Sequence, residues 1–407
     1  MSDLPRLAVF HNEQSSPVFE LFGASKDLCR IVWIIGWSND NPSQRILSRF
    51  GDVVDLTGLT ESQSIKRLVE FRPDGVVVFN DPPIMLASKV AHELDLPFHS
   101  PATAELLSDK LAQRAALRDA GLPVPAFAAL STTFTDAHVP FPAVLKPRAG
   151  AGSRDTFFVH DAYQVADALA KCDPHEEFIL EEWLPDRSSR QGLGSDLVSV
   201  ESVVRDGDIE NITVTGRFPF APPFRETGSF LPSDLNETDW DAVLELASTA
   251  ITALGIKHGL VHTEIKMTPQ GARIVEVNGR LGGGIDGLIR RIGGPSLMVW
   301  SMKLALGQDV GPAPAILKSP VAFFRLIVAP QTATELESLS GVSDLNALSG
   351  IDEVNLNAQP GDALDYRRSS FSQNILWING AVGSHAELNQ LVHEQIESTL
   401  HFTWKFS

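Results

Sequence analysis

Two thiols, Cys29 and Cys172, are all that 407 residues contain. They stand far apart and show no metal-ligand spacing, so neither a disulfide framework nor structural zinc is expected, and a reduced cytoplasmic protein is. No apolar run approaches the ~18–20 residues that cross a bilayer. Residues 1–6 carry no signal-peptide core either, so a membrane partner is not expected. Positive charge is scarce: 33 Lys and Arg face 51 Asp and Glu, for a net charge of −18. A surface of that sign repels phosphate backbones, so nucleic acid is not an expected partner, and any bound nucleotide needs a local basic pocket. Internal repeats and low-complexity tracts are absent. So are the Walker A spacing and the G-x-G-x-x-G dinucleotide fingerprint.

What is present is an ordinary globular composition, 43% apolar and 21% charged, long enough for two to four domains. Short apolar runs at 7–10, 29–35, 53–56 and 75–79 alternate with helical stretches, among them 62–71. Continuous apolar strands alternating with helices imply a parallel sheet covered on both faces, an α/β domain over residues 1–102. Residues 103–309 then change character, to α+β. An amphipathic helix or broken pair over 104–120 stops at Gly121-Leu122-Pro123. Strands follow at 143–146 and 178–182. Asp206-Gly207 between apolar runs predicts a hairpin of 197–204 with 209–214. Residues 310–407 look like a separate C-terminal α+β piece, with strands at 321–328 and 374–380 and a closing helix over 384–402.

Two alternating segments, 262–267 and 272–278, flank a Pro/Gly turn. Period two puts His262, Glu264 and Lys266 on one face and pairs Glu276 with Asn278. A hairpin symmetric about Gln270 sets Glu264 opposite Glu276. Facing like charges are destabilising, unless a dication sits between them, for which Glu, Glu and Asn supply hard oxygen donors. The alternative is a solvated hairpin face. Arg280 follows at once, entering the run Gly282-Gly283-Gly284, where exposed N–H groups and a guanidinium suit a carboxylate or phosphoryl oxygen. Lys146 ends an apolar strand before the small loop 149–153; it reads either as a phosphate contact or as an ordinary strand-end lysine.

The ordered set resembles an ATP-grasp domain, in the carboxylate–amine ligase branch that includes L-amino-acid ligases and carnosine-synthase-like enzymes. Ser108-Asp109-Lys110 through Pro125 resembles the opening helix of that fold, and 141–153 its lysine strand and phosphate loop. Glu181-Glu182-Trp183-Leu184 resembles its adenine hinge. Glu264, Glu276, Asn278 and Arg280 resemble its metal-binding and catalytic end, and residues 1–102 its preATP-grasp domain. The resemblance implies a lid subdomain at about 125–190, with the loops 150–153 and 185–195 as lid segments. It implies that Lys110, Lys146, Gly152 and Ser153 meet ATP phosphates, and that the hinge holds adenine through its backbone, so that its side-chain types matter little. A ribose-binding acid is expected after the hinge, with Asp196 as the candidate. Glu264, Glu276 and Asn278 would hold Mg²⁺, with Mn²⁺ able to substitute. Arg280, with Gly283 and Gly284, would steady an acyl-phosphate.

The interval from Glu226 to Glu264 matches a segment that brings a glutamate to the substrate in the amino-acid ligases. Glu226, which Arg217 and Arg225 bracket with the loop 218–224, is therefore a substrate candidate. His262 reads as a substrate contact or as a satisfied sheet histidine. The glycine run suggests room for a donor larger than alanine. The expected function is ATP-dependent joining of two amino acids, by a monomer or homodimer. A bicarbonate-using carboxylase of the same fold and a non-catalytic nucleotide-binding module are the rivals.

Overall fold

The computed structural model describes residues 4–12, 15–38, 44–130, 139–150, 152–187, 193–314, 319–368 and 374–406. Strands β1 (Arg6–Phe10), β2 (Arg30–Ile35), β3 (Asp52–Asp55) and β4 (Gly75–Val78) form a parallel sheet in the order β3-β2-β1-β4. Leu7, Val9, Ile31 and Trp33 pack on one face, against the helix Leu297–Ala305, whereas Ala8, Phe10, Val32 and Ile34 pack on the other. Burial of both faces explains why these strands read as continuous apolar runs. The chain crosses from β1 through β2 to β3 on one side and places β4 on the other. The crevice between the C-terminal ends of β1 and β4 is therefore the topological switch point, where ligands of such sheets bind.

The helix expected over 104–120 is a broken pair, Pro101–Ser108 and Lys110–Asp119. Asp109 between them is extended, and its carboxylate caps the second helix by accepting from the N–H of Leu111 at 2.8 Å. A small antiparallel sheet follows, from β5 (Phe127–Ala129), β6 (Ala143–Pro147), β7 (Phe157–Val159) and β8 (Phe178–Glu182), in the order β5-β8-β6-β7. The helix Ala162–Leu169 closes its own small core around Leu145, Val165 and Leu180.

The remaining strands are β9 (Leu197–Arg205), β10 (Asp208–Arg217), β11 (Gly228–Leu231), β12 (Gly259–Thr268), β13 (Gly271–Asn278), β14 (Val321–Val328), β15 (Ala333–Ser340), β16 (Ile351–Leu356), β17 (Asn374–Val382) and β18 (His401–Phe406). Eight of them form one antiparallel sheet, β13-β12-β9-β10-β11-β14-β17-β16. Arg205 pairs with Asp208 around Asp206 and Gly207, both at positive φ (51° and 88°), the tight hairpin that Asp-Gly favours. Strand β14, read above as part of a separate piece, continues this sheet by pairing with β11.

The closing helix is shorter than expected. It runs from His385 to Thr399, widened to a π-helix over Leu391–Ile396, and then the chain turns into β18, which pairs with β15. From His401 the apolar period changes to two, placing Phe402 and Trp404 on one face, their rings stacked 5.1 Å apart. Among the described residues no helix is long and apolar enough to cross a membrane.

Candidate active site

The three parts enclose one cleft of ≈ 2920 Å³, and the hairpin β12–β13 forms its floor. Thr268 pairs with Gly271 around the two-residue turn Pro269-Gln270, a register that by itself would set Glu264 against Val275. A bulge at Val275 adds one residue to β13 and restores the pairing of Glu264 with Glu276. The expected facing pair is therefore present, although the hairpin is not symmetric. Each carboxylate already carries a cation. Lys110 Nζ lies 2.9 Å from Glu276 Oε1, and Arg217 Nη2 lies 2.8 Å from Glu264 Oε1.

Burial alone would raise the Glu264 carboxyl, but Arg217, His262 and Arg280 beside it hold it well below the usual carboxylate range. Asn278 donates from Nδ2 to the His262 carbonyl at 3.4 Å, which keeps its own oxygen available. The donor set thus fits a hard dication: two carboxylates and an amide oxygen, each carboxylate held by a protein cation. Among the described residues no three His, Cys, Asp or Glu side chains form a cation cage, as expected where nucleotide phosphates complete the shell.

The residues expected to meet the nucleotide are built on the helix Lys110–Asp119 and the small sheet. Lys110 Nζ also donates to the Gly150 carbonyl at 2.6 Å. Gly150, Gly152, Ser153 and Asp155 all have positive φ, which turns this loop over the cleft; Ala151 lies outside the described residues. Lys146 Nζ sits 2.7 Å from Glu181 Oε2. Burial pushes the lysine below its ordinary value, and Glu181 offsets part of that.

Glu181 is buried, so its side chain matters more than a backbone-only hinge implies. It stands between Lys146 and the fully buried Arg114 and holds the hinge strand to both. Glu182 accepts from the Ala126 N–H at 3.0 Å. The Trp183 N–H donates to Pro142, and its ring meets Phe158 at 5.7 Å. Leu184 follows on the cleft wall, along with Asp196. Asp196, the expected ribose acid, is 2% exposed, and its two oxygens accept from the backbone N–H and Nε of Arg187 at 2.6 and 3.1 Å. That geometry seats the chain after the hinge instead of leaving a carboxylate open for two hydroxyls. Residues 188–192 of the expected second lid segment lie outside the described residues.

Arg280 is half-buried against the N-terminal domain, with Nη2 2.5 Å from Asp81 Oδ2. Asp81 follows β4 at the switch point. There Asn80 Nδ2 also donates to Asn12 Oδ1 at 2.8 Å, across the ends of β4 and β1. Gly282 and Gly284 are glycines for packing. A Cβ on Gly282 would lie 2.4 Å from His262 Nδ1, and one on Gly284, at φ +76°, would lie 2.7 Å from the Phe324 ring. The space beside them is therefore filled by protein, and the inference of a large donor from the glycine run does not hold. Gly283 alone is exposed, on the cleft.

His262 is buried, and its Nδ1 meets Glu201 at 2.8 Å. Burial would lower the imidazole, but Glu201 outweighs it and raises it to about 9. Arg217 Nη1 binds Glu226 at 2.6 Å, and its Nη2 lies 3.0 Å from His262 Nε2. Two cations, Arg217 and His262, are thus held among three carboxylates, Glu201, Glu226 and Glu264. His262 behaves as an internal charge partner of the Glu264 face, which leaves Glu226 as the substrate candidate on that wall. Arg225 points elsewhere, to the Tyr366 carbonyl at 2.6 Å.

Asp81, Glu201 and Arg114 were not singled out from sequence. A glutamate inside the apolar run 197–204 and an Asn-Asp after a parallel strand were the signals available for the first two.

A family profile for the ATP-grasp domain matches residues 139–287. Over 319 residues, 76% of this chain, the sequence is 26% identical to the uncharacterized protein y4rH of Sinorhizobium fredii and covers 64% of it, just under two thirds. Over 337 residues it is 24% identical to the L-arginine-specific L-amino acid ligase of Bacillus subtilis, covering 78% of each chain. The crystal structure of an L-amino acid ligase from Bacillus licheniformis shares the fold with a TM-score of 0.79 at 21% identity, over 100% of both chains. Residues 139–287 therefore match an ATP-grasp domain, and the chain as a whole has the fold of an L-amino-acid ligase and is similar in sequence to proteins of that kind.

Proposed function

We propose that this protein is an ATP- and Mg²⁺-dependent ligase that joins the carboxylate of one amino acid to the amine of another through an acyl-phosphate, releasing ADP and phosphate. One observation carries the reading: Glu264 faces Glu276 on the floor of a cleft onto which Lys110, Lys146 and Arg280 converge. A carboxylate is a poor electrophile because its leaving group would be oxide. Its attack on the γ-phosphorus of ATP, with departure of ADP, supplies a good leaving group. The amine then attacks the acyl carbon, expels phosphate and gives up a proton.

The obstacle to the first step is repulsion between anions. Lys110 and Lys146 offset it from the nucleotide side, and Arg280, oriented by Asp81, from the carboxylate side. Glu264, Glu276 and Asn278 would hold Mg²⁺, or Mn²⁺ through the same oxygens, which when bound supplies further neutralisation of phosphate charge. Glu226, on the wall beside Arg217, is the residue we assign to the donor's ammonium group. The crevice at Asn12 and Asn80 extends the cleft beside Arg280 and gives the second amino acid a polar wall. Gly150, Gly152 and Ser153 would cover the phosphates, keeping water from the acyl-phosphate.

Turnover of MgATP against pooled amino acids, with and without bicarbonate, tests this. ADP release that requires amino acids, with a product of the summed mass less one water, is the expected result. AMP release, or ADP release on bicarbonate alone, would replace the proposal with another chemistry of the same fold.

A further inference from the structure

Helix Lys110–Asp119 lies between the small sheet and the edge strand of the large one, and a single turn of it touches both. On one side the Lys110 N–H donates to the Arg148 carbonyl at 2.9 Å, just beyond β6. On the other, Gln113 replaces a missing neighbour strand: its Oε1 accepts from the Val277 N–H and its Nε2 donates to the Val277 carbonyl, both at 2.9 Å.

Arg114 reaches both sheets at once. It is 0% exposed. Its Nε lies 3.0 Å from Glu181 Oε1, an ion pair without hydrogen-bond alignment, and its Nη2 donates to the carbonyl of Val275. Glu181 is the residue that holds Lys146. Val275 is the bulged residue that brings Glu276 opposite Glu264.

We infer that Arg114 is a positioning residue that ties the nucleotide-binding lysine to the metal-binding bulge, so that the phosphate contact and the cation ligand Glu276 are placed by one guanidinium. An edge-strand bulge is a local distortion with an unpaired carbonyl, and a buried carbonyl needs a donor. A guanidinium has several N–H groups in a fixed fork, so it can serve a carboxylate and a carbonyl together; an ammonium cannot span both with the same geometry. Arg114 is fully buried and does not line the cleft. Outer-shell partners of metal ligands typically change affinity by about 10–100-fold when removed.

This inference rests on the ATP and Mg²⁺ reading of the cleft, and calorimetric binding of ADP, with and without Mg²⁺, tests the two separately from catalysis. Arg114→Met should weaken metal-free ADP binding about tenfold and reduce the gain from Mg²⁺ by at least another tenfold. Arg114→Lys keeps a cation beside Glu181, so it should restore the metal-free affinity but not the gain from Mg²⁺. Gln113→Ala, whose side chain bonds β13, Leu106 and Arg114 but neither Glu181 nor Lys146, should lose part of the gain from Mg²⁺ alone. Folded Arg114→Met that binds ADP and MgADP like the unaltered chain overturns the inference. If Arg114→Met does not fold, Arg114→Lys decides, and wild-type gain from Mg²⁺ in that variant overturns it equally. Absence of ADP binding by the unaltered chain overturns the site reading itself, and this inference with it.

Discussion

Asp81 and Arg280 are 199 positions apart in the sequence and 2.5 Å apart in the fold. The N-terminal domain thereby supplies the counter-ion of an arginine that follows β13 at the end of the large sheet. Arg280→Ala should lower kcat/KM by about 10²–10³-fold, the usual cost of removing one donor from developing negative charge. Asp81→Asn keeps the guanidinium but loosens its aim, and should cost about tenfold, mainly in kcat. ADP release at saturating ATP checks both. Equal activity in Asp81→Asn and the unaltered chain would remove Asp81 from the mechanism.

The opposed pair Glu264 and Glu276 predicts a metal requirement that either residue controls. Glu276→Gln and Glu264→Gln should each raise the Mg²⁺ concentration for half-maximal turnover at least tenfold, since each removes one anionic donor. A Mg²⁺ titration at fixed ATP reads this. An unchanged midpoint in both variants would mean that the hairpin face is only a pair of internal salt bridges to Arg217 and Lys110.

The Glu201–His262 contact predicts a dependence of stability on pH. The imidazole is raised from 6.5 to about 9 in the folded chain. Its contribution is therefore complete below pH 6.5 and is lost as pH rises through about 9. Glu201→Gln removes the anion that holds the proton. That variant should be less stable than the unaltered protein at pH 6, by on the order of a few kcal/mol, and the difference should shrink towards pH 10. Denaturant midpoints across that range measure it, and two parallel curves would sink the assignment.

The sequence made the parallel sheet legible because burial on both faces erases alternation, which is itself a pattern. It made the β12–β13 hairpin legible too, through alternation around Pro269-Gln270. What it did not show is the bulge at Val275, since an extra residue changes register without changing composition. The closing helix ends before its expected bound because Leu400 and Phe402 can continue either period; the alternation through Trp404 and Phe406 marks β18. Gly282 and Gly284 looked like an opening for substrate, yet their missing side chains are filled by His262 and Phe324, neighbours that only the fold brings near. Asp81 and Glu201 act through partners distant in sequence, and an isolated acid carries no mark of the cation it will meet.

The eight-stranded sheet runs through the position where a domain boundary was drawn, with β14 paired to β11 along Gly228–Leu231. A chain ending at residue 309 would leave β11 as an exposed edge, open to pairing with other molecules. Exchange of C-terminal segments between relatives would likewise replace half of a hydrogen-bonded ladder and not an independent module. Any recombination of this fold that aims to transplant specificity must therefore carry β10 to β17 as one inheritance.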